Sequence, residues 1–274
     1  MKLTNIFSML GGLALFLYGM NMMSNGLELA AGNKMKTILE KLTSNRILGV
    51  LVGALVTAII QSSSATTVMV VGFVNSGLMS LTSAVWVIMG ANIGTTITGQ
   101  LIAIDITAIA PLIAFIGVAM IVFFKSKKLD AFGSVIGGLG ILFIGMETMS
   151  NAMVPLRTMP EFVGLISKFQ NPFIGILVGA LFTALIQSSS ASVGILQALA
   201  KSGVMTLSSS IYVLFGQNIG TCITSVLASI GTSKNAKRTT IIHLTFNIIG
   251  TVIFVSISML FPFAHLVESI TPNN

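Results

Sequence analysis

Charge is what this chain has least of. Only 8% of its 274 residues are Asp, Glu, Lys or Arg, where a soluble domain carries about 25%. With 54% hydrophobic residues and a mean hydropathy of +0.99, this scarcity excludes a large soluble domain. The chain reads as a polytopic membrane protein. Cysteine occurs once, at Cys222, which excludes an intramolecular disulfide and leaves a metal site without a second thiolate. Histidine occurs only at His243 and His265, and neither stands near a serine-rich segment. A serine nucleophile would therefore have no base. The net charge of +7 does not indicate nucleic-acid binding, because the basic residues sit in short loops, where they orient a protein in the membrane. The first apolar segment, Ile6 to Leu29, follows a short N-terminus with Lys2 and has no small-residue cleavage site. It reads as a retained helix rather than a signal peptide.

What is present is a repeat. Gly49 to Ala65 matches Gly175 to Ala191 at 14 of 17 positions, at a spacing of 126 residues. Both stretches end in Gln-Ser-Ser-Ser-Ala. At the same spacing, Gly90-Ala91-Asn92-Ile93-Gly94-Thr95 pairs with Gly216-Gln217-Asn218-Ile219-Gly220-Thr221. Hydrocarbon does not tolerate unpaired hydroxyls and amides. Paired polar interruptions in two related halves of a membrane protein point to a substrate site. Ser, Thr and Gly also let membrane helices pack closely, but a duplicated pair of motifs favours a site.

The pattern predicts a first repeat over residues 1–130 and a second over 131–274. Asn5 to Leu27 is long enough to span, and Asn33 to Thr43 is an amphipathic interfacial segment. Arg46 to Ile60 and Ala65 to Asn75 are each too short to cross a core of about 30 Å. They are expected as the arms of a re-entrant hairpin over about 46–76. Leu81 to Ile104 is expected to cross as a helix broken at Gly90 to Thr95, and Ile106 to Phe124 to cross after it. The second repeat gives a span over Ala131 to Met153, an interfacial Met159 to Phe169, a hairpin over about 171–201, a broken helix over Leu207 to Ile230 and a last span over Thr239 to Phe261. The expected fold is thus all-α and polytopic. Each repeat has three crossings and one re-entrant hairpin.

Three crossings per repeat is an odd number, so the two repeats have inverted topology. Grouping alternate loops places Lys34, Lys36, Lys41, Arg46, Lys125, Lys127, Lys128, Lys234, Lys237 and Arg238 on one side. Lys2, Arg157, Lys168 and Lys201 fall on the other. The positive-inside rule then puts both termini outside. Hairpin one enters from the cytoplasm, hairpin two from outside, and their tips meet near the midplane.

The tips supply uncharged hydroxyl and amide groups. Helix N-termini near Ser64, Ser190, Thr95 and Thr221 favour an anion. Exposed carbonyls near Gln61, Gln187, Asn92 and Asn218 suit a hard cation such as sodium. Apart from Lys201, no Lys or Arg lies near the motifs, and an isolated charge in low dielectric is costly. Co-bound cations would replace the missing positive side chain, which favours coupled symport. Glu147, aligned with Asn21, is the one acid expected well inside a span, and such acids are often functional. A hydrogen-bonded structural carboxyl is the plainer reading. His243 reads as a packed or interfacial histidine and Asp105 as solvated. Cys222 aligns with Thr96 and is expected to face the same break. Trp86 aligns with Tyr212.

The two Gln-Ser-Ser-Ser segments, each followed by Asn-Ile-Gly-Thr, and Phe16-Leu17-Tyr18-Gly19-Met20 near the start resemble the type II sodium-phosphate cotransporter family, here as a bacterial short form. The resemblance covers both repeats. It implies that the two motifs lie on opposing re-entrant hairpins that form the phosphate and sodium sites. Carried onto this sequence, phosphate falls to Gln61, Ser62, Ser63, Ser64, Gln187, Ser188, Ser189 and Ser190. Sodium falls to Thr66, Asn92, Thr95, Thr96, Ser192, Asn218 and Thr221. The implied function is sodium-coupled symport of inorganic phosphate by alternating access, in the plasma membrane of a bacterium. Sodium is the co-transported ion, and no residue is catalytic. Two departures stand out. Cys222 replaces an expected Thr, and the chain stops soon after its last span, as a short form, a truncated form or one that pairs with a separate regulatory protein. Rival readings are transport of another oxyanion or a carboxylate, or an anion channel. A homodimer is left open.

Overall fold

The computed structural model describes residues 3–31, 38–39, 45–104, 106–124, 126–261 and 263–270, and every regular element among them is helical. This is what a chain this apolar must do, since a helix satisfies its backbone groups internally. The first half contains α1 (Leu3–Ala31), α2 (Arg46–Ile60), α3 (Ser63–Asn75), α4 (Leu81–Ala103) and α5 (Ala110–Phe123). The second contains α6 (Lys127–Met153), α7 (Pro160–Ser167), α8 (Pro172–Ile186), α9 (Ser189–Lys201), α10 (Leu207–Gly220), α11 (Ile223–Ala228), α12 (Lys234–Leu260) and α13 (Phe263–Ile270). Of the expected amphipathic segment over 33–43, only Ile38 and Leu39 are described. Lys2 and Asp105 lie outside the described residues, as does the side chain of His265.

Among the described residues, five stretches are long and apolar enough to cross a membrane: α1, α4, α6 with its 3-10 extension to Thr158, α10 with α11, and α12. A sixth arises if Pro160–Gln170 and Pro172–Ile186, which meet at 104°, are taken as one bent span. The crossing expected over Ile106 to Phe124 is shorter than predicted. A 3-10 turn at Thr107–Ile109 precedes the 14-residue α5, whose start is set by Pro111 in its first turn. That is about 21 Å of α-helix, less than the hydrocarbon core.

The most extensive helix contact is that of α1 with α6. A Cβ on Gly12 would lie 2.5 Å from the Met149 nitrogen, and one on Gly19 would lie 2.3 Å from the Leu142 nitrogen. Rising numbers on α1 meet falling numbers on α6, so the helices are antiparallel. Small residues let the backbones touch, as membrane helix pairs require. The 126-residue offset carries Gly12 onto Gly138 and Gly19 onto Gly145. Accordingly, the approach of Gly12 to the Gly145 carbonyl (2.8 Å) recurs as the approach of Gly138 to the Gly19 carbonyl (2.6 Å).

The same offset governs the packing of α2 on α4 and of α8 on α10. A Cβ on Gly90 would meet the Val50 carbonyl at 2.0 Å, and one on Gly216 the Ile176 carbonyl at 2.1 Å. Gly94 faces the Ala54 carbonyl as Gly220 faces that of Ala180, at 2.4 and 2.3 Å. These contacts overturn the expectation of a break in the first repeat. α4 runs unbroken through Gly90 to Thr95, because its glycines serve close helix contact rather than a kink. Thr95 and Thr96 turn their hydroxyls back onto the carbonyls of Ala91 and Ile93, at 3.0 and 2.7 Å. No helix restarts at Thr95, and no carbonyl is freed before Asn92. In the second repeat an interruption does occur, but later than expected. α10 ends at Gly220, Thr221 and Cys222 form a turn, and α11 begins at Ile223. The Cys222 amide there bonds the Ile219 carbonyl three residues back (3.1 Å), a local tightening of the ladder.

Candidate functional site

The two Gln-Ser-Ser-Ser segments build two identical turns. α2 ends at Gln61 (φ 58°, ψ 25°) and α8 at Gln187 (φ 59°, ψ 21°), both left-handed. Their amides bond Thr57 and Thr183 carbonyls, each at 2.7 Å. Left-handed backbone is uncommon for a residue with a side chain, and these are the only two such non-glycine positions among the described residues. Ser62 and Ser188 then swing to extended backbone and cap the next helix. Each hydroxyl accepts the amide of the residue three positions on, Ala65 at 3.1 Å and Ala191 at 3.2 Å, a standard N-cap. The arms are stapled by a buried hydroxyl pair in each copy. Thr57 Oγ1 donates to Thr66 Oγ1 at 3.0 Å, and Thr183 and Ser192 hydroxyls pair at 2.7 Å.

The residues after the caps are the ones that face open space. A cavity of about 370 Å³ is lined by Ser63 from the first tip and by Ser189 and Ser190 from the second. Asn92, Thr95 and Thr96 of α4, Asn218 of α10 and Thr221 at the end of α10 also line it. Eight of the expected site residues therefore meet in one space, from four separate elements. The amides of the first turn of α3 and α9 have no intrahelical acceptor, so both tips bring N–H groups as well as hydroxyls. Among the described lining residues none carries a charge, and the described residues contain no group of three or more His, Cys, Asp or Glu that could hold a metal.

Other expected site residues stand elsewhere. Ser62 and Ser188 serve as caps, and Thr66 and Ser192 as staples. Gln61 is buried, with its amide nitrogen donating to the Ala58 carbonyl and its Oε1 without a partner, whereas Gln187 is exposed. Ser64 is half-buried and its carbonyl accepts from Thr67 at 3.1 Å. Glu147 lies within α6, one of the candidate spans, and is not among the residues that line the cavity. It is on the exposed face of α6, as Asn21 is on α1, because the glycine-lined faces of these helices turn toward each other. Cys222 does not share the surroundings of Thr96. Thr96 is exposed at the cavity, while Cys222 is buried and its sulfur accepts from Asn247 Nδ2 at 3.1 Å. The turn at Thr221–Cys222 rotates that side chain toward α12.

Three glutamines at the cavity were not expected. Gln217 donates to the Ser192 carbonyl and Gln197 to the Gly99 carbonyl, both at 3.1 Å, and Gln100 lines the same wall. The Oε1 atoms of Gln217 and Gln197 and the Nδ2 of Asn92 are buried without partners, which is costly unless a ligand or water supplies the bond. The signal was present as a difference between the repeats. Gln217 stands where the first half has Ala91, Gln197 where it has Val71, and Gln100 where the second half has Val226.

The cavity is one-sided. It follows α4 past Gly99 and Gln100 to Ala103, of which Gln100 and Ala103 are exposed. Ser225 and Ser229, the counterparts of Gly99 and Ala103, are buried, Ser225 against α12. There Thr240 donates to the Ser225 carbonyl at 3.0 Å, and the Ser225 hydroxyl pairs with His243 Nδ1 at 3.1 Å. His243 is thus a packed histidine. The base of the first tip is held by Asn75, whose Oδ1 accepts the Ser233 amide at 2.8 Å. The base of the second is held where Lys201 Nζ reaches Thr107 Oγ1 at 2.8 Å.

The Na+/Pi-cotransporter family model matches residues 15–151 and 158–268. YqeW of Bacillus subtilis is 32% identical over 265 residues, covering 94% of this chain and 83% of YqeW. The putative inorganic phosphate export protein YjbB of Salmonella typhimurium is 28% identical over 265 residues. That match covers 96% of this chain and 48% of YjbB, so the chain spans about half the length of that relative. The sodium-dependent phosphate transport protein 2A of Rattus norvegicus is 40% identical over 105 residues, 38% of this chain and 16% of the rat protein. No solved structure matches significantly. With the family match spanning both halves and YqeW aligning nearly end to end, the chain belongs to the Na+/Pi-cotransporter family.

Proposed function

We propose that this chain is a secondary transporter that moves inorganic phosphate across a bacterial cytoplasmic membrane in symport with sodium. The observation that carries the reading is the meeting of Ser63, Ser189 and Ser190 with Asn92, Thr95, Asn218 and Thr221 around one uncharged cavity. Phosphate is held by the serine hydroxyls and by the first-turn amides of α3 and α9, where helix dipoles favour an anion. No lysine or arginine balances its charge, so sodium does. Its ligands are oxygens of Thr95, Asn92, Asn218, Thr221 and the unpartnered Gln217. A serine nucleophile has no base among the lining residues, and transport rather than hydrolysis follows.

In this reading α2–α3 and α8–α9 are re-entrant hairpins in two inverted repeats. The reciprocal contacts of α1 with α6 and the attachment of the two hairpin bases to different connections support it. The loop charges then orient the side of Lys127, Lys128, Lys234 and Arg238 toward the cytoplasm. The cavity, open beside Gln100 and Ala103, faces the other side. Direction has two readings. A sodium gradient drives uptake by such a symporter, while the name of the Salmonella relative, a putative phosphate export protein, favours export.

The test is phosphate flux in proteoliposomes of the purified chain, with sodium gradients imposed inward or outward and potassium as control. Accumulation that follows the sodium gradient and is lost in Ser63→Ala and Ser189→Ala is the expected result. Coupling is reciprocal, so phosphate must also tighten sodium. Equal flux in potassium would remove sodium coupling, and net efflux against an inward sodium gradient would favour the export reading. Sulfate, arsenate and citrate as competitors decide the anion.

A further inference from the structure

Behind the second serine-rich tip lies a second cavity, of about 200 Å³, enclosed by α7, α8, α9 and α10. Its walls include Val178, Phe182, Leu196, Leu199, Met205 and Val213, and among its described lining residues only Ser192 and Gln217 are polar. Ser192 is already engaged with Thr183. Among the described residues of the first half the corresponding positions are packed together. The counterparts of those six residues, from Val52 to Val87, all belong to one packed core. Leu39 completes that core at 0% exposure. Its counterpart is Leu165, which stands 48% exposed at the rim of the second cavity. One half fills this position with its own leucine and the other leaves it hollow.

We propose that the hollow is a binding site for a hydrocarbon chain, supplied by an acyl tail of a bilayer lipid. An apolar cavity of roughly 150 Å³ stays dry and takes apolar guests rather than water. The rim, at Leu165 and Phe182, is continuous with the outward face of α8, where Leu177, Leu181 and Leu185 are 59%, 57% and 82% exposed. That face of a membrane protein is solvated by lipid tails, so the adjoining guest is a tail. The tail does in the second half what Leu39 does in the first: it supports the helix that carries Ser189 and Ser190. Leu196 and Gln217 line both cavities, so the tail and the contents of the polar cavity share a wall. The inference depends on the bilayer setting and not on which anion is carried.

The test uses the full chain reconstituted with phosphatidylcholine that bears a diazirine midway along one acyl chain. After photolysis, adducts are mapped by mass spectrometry. Adducts are expected at Met205 and Leu196, which are only 5% and 8% exposed, but not at their counterparts Met79 and Val70. Leu199→Phe, which installs the residue found at the counterpart Phe73, should reduce the Met205 adduct at least tenfold, as should Val178→Phe. Labelling of Phe173, which is 83% exposed, should persist in both and reports a folded, lipid-embedded chain. Adducts confined to exposed faces, or equal at Met79 and Met205, would overturn the proposal. The parent comparison decides even where a variant fails to fold.

Discussion

Neighbouring serines in each tip carry different duties. Ser62 and Ser188 cap helices, while Ser63, Ser189 and Ser190 face the cavity. Loss of a cap typically costs about 1 kcal/mol of stability. Ser62→Ala should therefore lower the melting temperature in detergent. Ser63→Ala should leave it unchanged and weaken anion-dependent stabilisation, read as the shift in melting temperature with added sodium phosphate. Gln217 offers a buried oxygen with no partner. If it binds a sodium ion, Gln217→Ala should remove a charge-assisted bond of about 1.5–3 kcal/mol. That is about a tenfold to hundredfold rise in the sodium concentration for half-maximal flux, measured at saturating phosphate. At this scale the meeting of the motif residues around one cavity was legible, because serine runs and Asn-Ile-Gly-Thr interrupt apolar sequence twice at one spacing. The division of labour among adjacent serines was not, since capping and ligation call for the same hydroxyl. Glu147 lies within the span where it was expected, but the helix face it occupies, the exposed one, was not legible.

Among the elements, the decisive residue is glycine, and its two uses look alike in sequence. Gly90 and Gly94 suggested a kink and instead let α2 rest on α4. A methyl group at Gly90 would sit 2.0 Å from a backbone carbonyl, which only helix separation can relieve, whereas Gly72 in α3 has nothing within 4 Å. Gly90→Ala and Gly216→Ala should each destabilise by about 1–3 kcal/mol, as overpacking does. Gly72→Ala should be neutral or stabilising by up to about 1 kcal/mol. Thermal melts of the three variants check this. The helical segments themselves were readable from length and hydropathy: Arg46–Ile60 fell where expected, and the next helix, expected from Ala65, starts two residues earlier at Ser63 because Ser62 caps it. The shortened α5 was not readable as such. Its apolar composition is that of a span, and only the local 3-10 turn before it takes residues away from the helix.

For the molecule as a whole, the repeats share contacts but not access. Ala103 stands open while its counterpart Ser229 is buried, and α12 covers Ser225, the counterpart of Gly99. If transport alternates, the covered side must open in turn. In a Cys222→Ser background, Ala103→Cys should react with a membrane-impermeant maleimide from one face only, and sodium with phosphate should slow it several-fold. Ser229→Cys should react only from the opposite face and only under conditions that empty the first. Equal reactivity of both from one face would contradict alternation. The repeat was evident in the sequence, but this asymmetry was not. It comes from where α12 lies, and no local pattern encodes that. The meeting of α1 with α6 carries a different implication. Each helix presents the same glycine face, so the contact is isologous in the sense used for two-fold dimers. Such a surface does not require a covalent tether. A chain severed between Phe124 and Lys127, its two parts expressed from separate messages in one cell, should reassemble at that surface. Each part alone should be lost to proteolysis.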